Sequence, residues 1–149
     1  GIRFEAEEVL ALTKQTRALL PKITLSVTVP HIIALDQQVQ LAEELVKAGA
    51  DIIQTEGGTS SKPENPGTLG LIEKASPTLA AAYEIARAVS VPVLCASGIS
   101  SVTAPLAIAA GAAGVGVGSA INQLSSEVAM IAAVRSLVEA IKTEEKVRS

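Results

Sequence analysis

Apolar residues recur at helical spacing from Phe4 to Leu20, at Phe4, Val9, Leu12, Ala18 and Leu19. Glu5, Glu7 and Glu8 lie near the start, where the helix dipole favours acids. Pro21 ends the pattern. ITLSVTV, residues 23–29, then alternates and is rich in β-branched side chains, which predicts a strand. Asp36 to Ala48 returns to a helical period, with Val39, Ala42 and Val46 on one stripe and Leu41, Leu45 and Ala48 beside it. Asp36 is the expected N-cap and Gly49 the expected C′ residue. ADIIQTE, residues 50–56, is a short strand, and the turn-rich stretch 57–76 is a long loop, too long for an ordinary βα connection. Thr78 to Val89 is helical, VPVLCAS (residues 91–97) is an apolar strand, and Thr103 to Ala110 is a short helix. GVGVG, residues 114–118, is the last strand. Ser126 to Ile141 is an amphipathic helix with Val128, Ile131, Val134, Leu137 and Val138 on its apolar side, and residues 143–149 form a charged tail.

The order is a helix followed by four βα units, which calls for a parallel sheet because parallel neighbours need crossovers. VPVLCA and GVGV do not alternate cleanly, as expected of strands buried on both faces. KAGADII (47–53), ARAVSVPV (86–93) and AAGAAGV (109–115) echo one another: in each, a helix ends in small residues and drops into a strand. Two α/β architectures fit, an open doubly wound sheet or half of a TIM (β/α)₈ barrel. Four strands are too few to close such a barrel, for which about 250 residues are typical. A chain that opens at Gly1 on a helix reads as the C-terminal half of one, and residues 1–149 as a single domain.

Composition narrows the partners. The net charge is -3, so there is no basic footprint for nucleic acid, and Phe4 and Tyr83 are the whole aromatic complement. No apolar run approaches a membrane span, and no signal peptide is visible at the start. Cys95 is the lone cysteine, inside an apolar strand, and suits a reduced compartment and a structural role. One histidine, one cysteine and no clustered acids leave a metal site unsupported.

In both architectures ligands gather beyond the carboxyl ends of the strands. CASGIS and GVGSAI end consecutive strands, and each offers glycine for close backbone approach and a following helix N-terminus that favours an anion. Ser97, Ser100 and Ser119 add hydroxyls. Small residues for tight helix–sheet packing are the alternative reading. A dinucleotide fingerprint at 114–118 is rejected, because the glycines lie inside the strand and Ser119 stands at the third expected position. Gln54 and Glu56 should share one side of their strand and form a polar floor. Glu56 is a candidate general acid or base, and so is His31 after its strand; a solvated carboxylate and an ordinary loop histidine are the alternatives. The 57–76 stretch is a candidate lid, with Lys62 and Lys74 as candidate cations for a bound anion.

RFEAEEVLALTKQTRALLP, TLSVTVPH, LVKAGADIIQTEGGTSS and PTLAAAYEIARAVSVPVLCASGIS followed by GAAGVGVGSAIN resemble the "hypothetical chloroplast reading frame twenty-three" family of cyanobacteria and plastids, over nearly the whole chain. The resemblance implies an aldolase-like, phosphate-binding (β/α)₈ barrel whose first four strands are absent here, in the plastid stroma or the cyanobacterial cytoplasm. It supplies no catalytic residues. More distantly, SGIS and GVGVGSAI resemble the two phosphate loops of ribulose-phosphate-binding, tryptophan synthase α-type and flavin mononucleotide barrels. That likeness implies Ser97, Gly98, Ile99, Gly118 and Ser119 as phosphate positions, with Ser97-Gly98 where those loops commonly hold Gly-Gly.

The expectation is therefore a barrel protein acting on a small phosphorylated metabolite, by isomerase- or lyase-type chemistry. Its alternatives are a non-catalytic phosphoanion-binding or regulatory protein and a flavin mononucleotide-dependent oxidoreductase. A half-barrel exposes sheet edges, so either a homodimer or the missing N-terminal half is expected to close it.

Overall fold

The computed structural model describes residues 3–58 and 61–148, with side chains as far as residue 142. It is an α/β structure with one four-stranded, all-parallel sheet. The strands are β1 (Ser26–Thr28), β2 (Ile52–Thr55), β3 (Val93–Ala96) and β4 (Gly114–Gly116). The helices are α1 (Ala6–Leu19), α2 (Leu35–Lys47), α3 (Gly67–Ala88), α4 (Ala104–Ala110), the single turn α5 (Ser119–Asn122) and α6 (Glu127–Arg148).

The sheet runs in the order β1-β2-β3-β4. This corrects the doubly wound alternative, in which the order must reverse at a switch point. Every crossover here steps in the same direction, and right-handed crossovers then place all helices on one face. Accordingly α1 packs on α2, α2 on α3, α3 on α4 and α4 on α6. The core lies between that helix layer and the sheet. Val29, Ile53 and Val93 meet Leu41, Leu45 and Ile85 in one cluster, and Cys95 meets Ala82, Ala104, Ala107 and Leu137 in another.

The opposite face of the sheet has no helix among the described residues. Register aligns Thr28, Gln54, Leu94 and Gly114 across it, with Ser26 beside Ile52 and Ala96 beside Gly116. A Cβ on Gly114 would lie 3.1 Å from Leu94 Cδ2, and one on Gly116 would lie 3.0 Å from Ala96 Cβ. Glycine at both positions therefore serves close packing on this face.

Three boundaries differ from the sequence pattern. The 57–76 stretch is not one long loop: α3 begins at Gly67 and carries Pro77 inside it. Proline removes the N–H that would bond the carbonyl of residue 73, and Ser76 Oγ donates to that oxygen at 2.8 Å instead. Lys74 thus belongs to a helix. Residues 59 and 60 of that stretch lie outside the described residues. Asp36 is not the N-cap of α2; the cap is Ala34, whose N–H donates to Gln37 Oε1 at 3.2 Å, and Asp36 sits in the first turn. Gly49 takes the left-handed φ of 101° expected at C′. At the other end, the backbone of α6 continues to Arg148 in place of a tail, and Ser149 lies outside the described residues.

The apolar stripe of α6 is open. Leu137 is buried, while Val128, Ile131, Val134 and Val138 are 77%, 53%, 46% and 43% exposed. At the opposite end a groove of about 310 Å³ runs between α1 and the free edge of β1, lined by Phe4, Val9, Leu12, Leu25 and Val27. No described helix is long and apolar enough to cross a membrane.

Candidate functional site

The carboxyl ends of the four strands bring the candidate residues to one rim of the sheet. At β1 and β2 the structure joins two candidates that the sequence presents separately. His31 Nδ1 lies 2.7 Å from Glu56 Oε1, and the His31 backbone N–H donates to the same oxygen at 3.1 Å. The two side chains are 18% and 37% exposed. A carboxylate accepts, so Nδ1 carries the hydrogen in this contact. Gln54 occupies the open face two residues before Glu56, half-buried beside Thr28 and Leu94.

β3 and β4 pair side by side, so CASGIS and GVGSAI are neighbours. Ser97 and Gly98 take φ values of 73° and 78° in succession. The left-handed region is uncommon for a serine, and such backbone outliers cluster at ligand sites. The turn is held tightly. A Cβ on Gly58 would lie 2.6 Å from Gly98 N and from the Ser97 carbonyl carbon and oxygen; one on Gly98 would lie 3.0 Å from the Lys74 carbonyl. Ser61 Oγ donates to Lys74 O at 2.8 Å and lies 3.1 Å from Gly58 O. The loop after β2 therefore backs directly onto the loop after β3. At Gly118, by contrast, no described residue lies within 4 Å of an added Cβ.

Two details bear on how the expected positions could contribute. The Ile99 side chain is buried in the helix-side core, which leaves its backbone N–H as the group that would contribute at the rim. The helix that follows β3 does not start at the turn: α4 begins at Ala104, and its first N–H donates to Ser100 O at 2.8 Å. The Ser100 N–H is itself taken by Thr103 Oγ1 at 2.9 Å. Ser119 opens α5, a helix too short to carry much dipole.

The floor under the rim contains residues that the sequence pattern does not single out. Thr78 Oγ1 donates to the Ala96 carbonyl at 2.6 Å. Its only hydrogen is thereby used, so Thr55 donates across the 2.7 Å contact between the two hydroxyls. Cys95 Sγ lies 3.6 Å from the Thr78 carbonyl, and burial pushes its thiol pKa up. Pro77 lies beneath Gly57, where an added Cβ would come within 2.9 Å of Pro77 Cβ. Pro77-Thr78 reads in the sequence as a helix start, which hid a pair that braces the ends of β2 and β3.

Among relatives, the chain is 38% identical over 148 residues to an uncharacterized protein ycf23 of Porphyra purpurea, covering 99% of this chain and 56% of the relative. It is 42% identical over 134 residues to the protein of that name from Cyanophora paradoxa, covering 88% and 54%. The chain thus spans just over half the length of these relatives. Among solved structures, a cube-shaped, highly porous protein cage designed by fusing symmetric oligomeric domains aligns with a TM-score of 0.42 and 15% identity, over 95% of this chain and 60% of that one. That likeness is too distant to bear on fold or function. The family described as a protein of unknown function, DUF561, matches residues 1–147, and the chain belongs to it.

Proposed function

We propose that this chain is half of a (β/α) barrel that binds a small phosphorylated metabolite at the adjoining ends of β3 and β4. The observation that carries the reading is the pair of consecutive left-handed residues Ser97 and Gly98 on one strand end, next to Gly118, which no described residue crowds, on its paired neighbour. Left-handed turns and glycine let backbone N–H groups approach a phosphate closely. In (β/α)₈ barrels the phosphate site frequently lies after the last two strands.

Support for the barrel comes from the sequential strand order, the single helix layer and the open sheet face. The α6 stripe and the α1–β1 groove are two apolar surfaces at the two sheet edges, where further strands and helices would continue the barrel. The partner is the remaining half of a longer chain or a second copy of this one. Relatives from Porphyra purpurea and Cyanophora paradoxa support a plastid-stroma or cyanobacterial-cytoplasm location.

The test is a thermal-shift series with inorganic phosphate, sulfate, ribose 5-phosphate and flavin mononucleotide, on the wild type and Gly118→Asp. A ligand that binds only the folded state raises Tm. Stabilisation by phosphorylated ligands that Gly118→Asp abolishes supports the site. No shift with any of the four overturns it, and a preference for flavin mononucleotide redirects the reading to a flavoprotein.

A further inference from the structure

We propose that the two open edges of this sheet take a polypeptide half of four parallel strands and three helices that begins and ends on strands, and not a second copy of this chain. The proposal rests on the barrel reading above and names the partner. Among the described residues, β1 and β4 are the edge strands. The sheet between them is staggered. Ser26 and Ile52 start β1 and β2 opposite each other, but β3 starts at Val93, opposite Ile53, and β4 at Gly114, opposite Leu94. The carboxyl ends slide the same way, so the paired span advances two residues from β1 to β4. A (β/α)₈ barrel has a shear of eight, about one residue per strand, so this sheet slides at close to the rate that closes after eight strands. The edges are also underburied. Val27 and Val115 face the helix layer as Ile53 and Cys95 do, yet the central pair is fully buried and the edge pair half-buried. The chain exposes 8905 Å², against about 7,100 Å² for a compact monomer of 15.2 kDa. An excess of roughly 1,800 Å² on one side is the size of a permanent interface, which buries about 2,000–5,000 Å² over both partners.

The helices at the edges distinguish one partner from the other. In a right-handed crossover the helix lies over the seam between the two strands it joins. α1 leads into β1 and α6 leads out of β4, so each outer seam already carries its helix. α1 flanks a groove at the β1 edge lined by Phe4, Val9, Leu12 and Val27, which the side chains of an added strand would fill. α6 keeps Val128, Ile131, Val134 and Val138 exposed beside the buried Leu137. Joining β4 of one copy to β1 of another would bring α6 of the first and α1 of the second over the same seam. The outer ring of a (β/α)₈ barrel holds one helix per strand. Two copies, each with α1, α2, α3, α4 and α6, overfill it. A half with four strands and only the three helices between them leaves one helix to every seam. The 148 matched residues are 56% of the Porphyra purpurea relative, which leaves it roughly 115 more, against about 110 for four strands and three helices of a 250-residue barrel. The end strand that adds beside β4 borders the proposed phosphate cup at Gly118.

The experiment co-expresses the tagged chain with the remaining segment of the Porphyra purpurea relative and sizes the purified material by light scattering. A 1:1 complex is expected, with amide exchange at residues 26–28 and 114–116 slowed at least about tenfold relative to the chain alone. The chain alone should associate through its open edges without a fixed stoichiometry. Ile131→Asp/Val134→Asp, at exposed positions, should keep the circular dichroism of the chain and lose the complex. Three results overturn the proposal: a segment that does not co-purify, a complex that survives the double variant, or a discrete two-copy particle of the chain alone with both edges protected. Inorganic phosphate is titrated against Tm on the same samples. If it raises Tm where no 1:1 complex forms, only the choice of partner has failed. If a 1:1 complex forms and phosphate does not raise its Tm, the phosphate reading has failed and the partner stands.

Discussion

Thr78 Oγ1 holds the carbonyl of Ala96 at 2.6 Å, so α3 fixes the last residue of β3 immediately before the chain turns left-handed at Ser97. Thr55 completes the link through the Thr78 hydroxyl, which ties β2 into the same brace. The rim's geometry depends on these buried hydroxyls. Thr78→Val keeps the shape and removes the buried hydroxyl that links the Thr55 hydroxyl to the Ala96 carbonyl. A buried polar group left unsatisfied costs about 1–3 kcal/mol. Urea unfolding of Thr78→Val should show a loss of that order, while Thr78→Ser stays close to the wild type. A Thr78→Val protein as stable as the wild type would show that the brace contributes nothing.

Gly58 and Gly118 make opposite demands. A Cβ at Gly58 meets three backbone atoms of Ser97 and Gly98 at 2.6 Å, and none of them can swing aside. Gly58→Ala should therefore displace the Ser97-Gly98 turn, lower Tm and weaken phosphate-dependent stabilisation together. Gly118→Ala meets no described residue within 4 Å, at a φ of -112°, and should fold as the wild type does. Equal Tm values for the two variants would contradict this packing.

Acid should weaken the fold through two carboxylates. The Leu25 N–H, and then the Arg17 guanidinium, hold Asp51 below its ordinary value of 3.8. The Asn65 side chain and backbone, with the Glu64 N–H, hold Glu73 below 4.5. A carboxylate whose folded pKa is depressed stabilises fully above its unfolded value and loses that contribution as pH falls through the folded one. Stability measured by urea titration should thus decline below the ordinary carboxylate values. The decline should be shallower in Asp51→Asn and Glu73→Gln, and an unchanged acid limb in the double variant would refute the assignment.

Cys95 should be inert in the folded protein. Its side chain is fully buried, and burial raises the pKa of the thiol, so little thiolate is exposed to reagent. Labelling with a disulfide reagent should be slow in buffer and fast in denaturing urea. Equal rates in both would place the thiol at the surface.

The alternation of elements was legible in the sequence because it is written in local periods. The stripe Leu41 and Leu45 marks α2, and the β-branched run around Val27 marks β1. The boundary at Pro77 was not legible, because proline and threonine at 77–78 look like a helix start. Whether the helix continues through them depends on Ser76 taking over the Glu73 carbonyl. At the site, His31, Glu56, Ser97 and Gly118 could each be named from their place at strand ends. That His31 and Glu56 share a hydrogen bond could not, since 25 residues separate them.

What the sequence by itself determined is the alternation of the four strands with the five longer helices and the parallel character of the sheet, because side-chain period and crossover length are properties of neighbouring residues. Tertiary structure alone decided the strand order β1-β2-β3-β4, which ruled out a doubly wound sheet. It also decided that Ile99 belongs to the core, that Gly58 backs onto Gly98, and that the α6 stripe stays uncovered. These are contacts between segments far apart in the chain. They are set by which surfaces meet when the layers pack, and no local pattern encodes them.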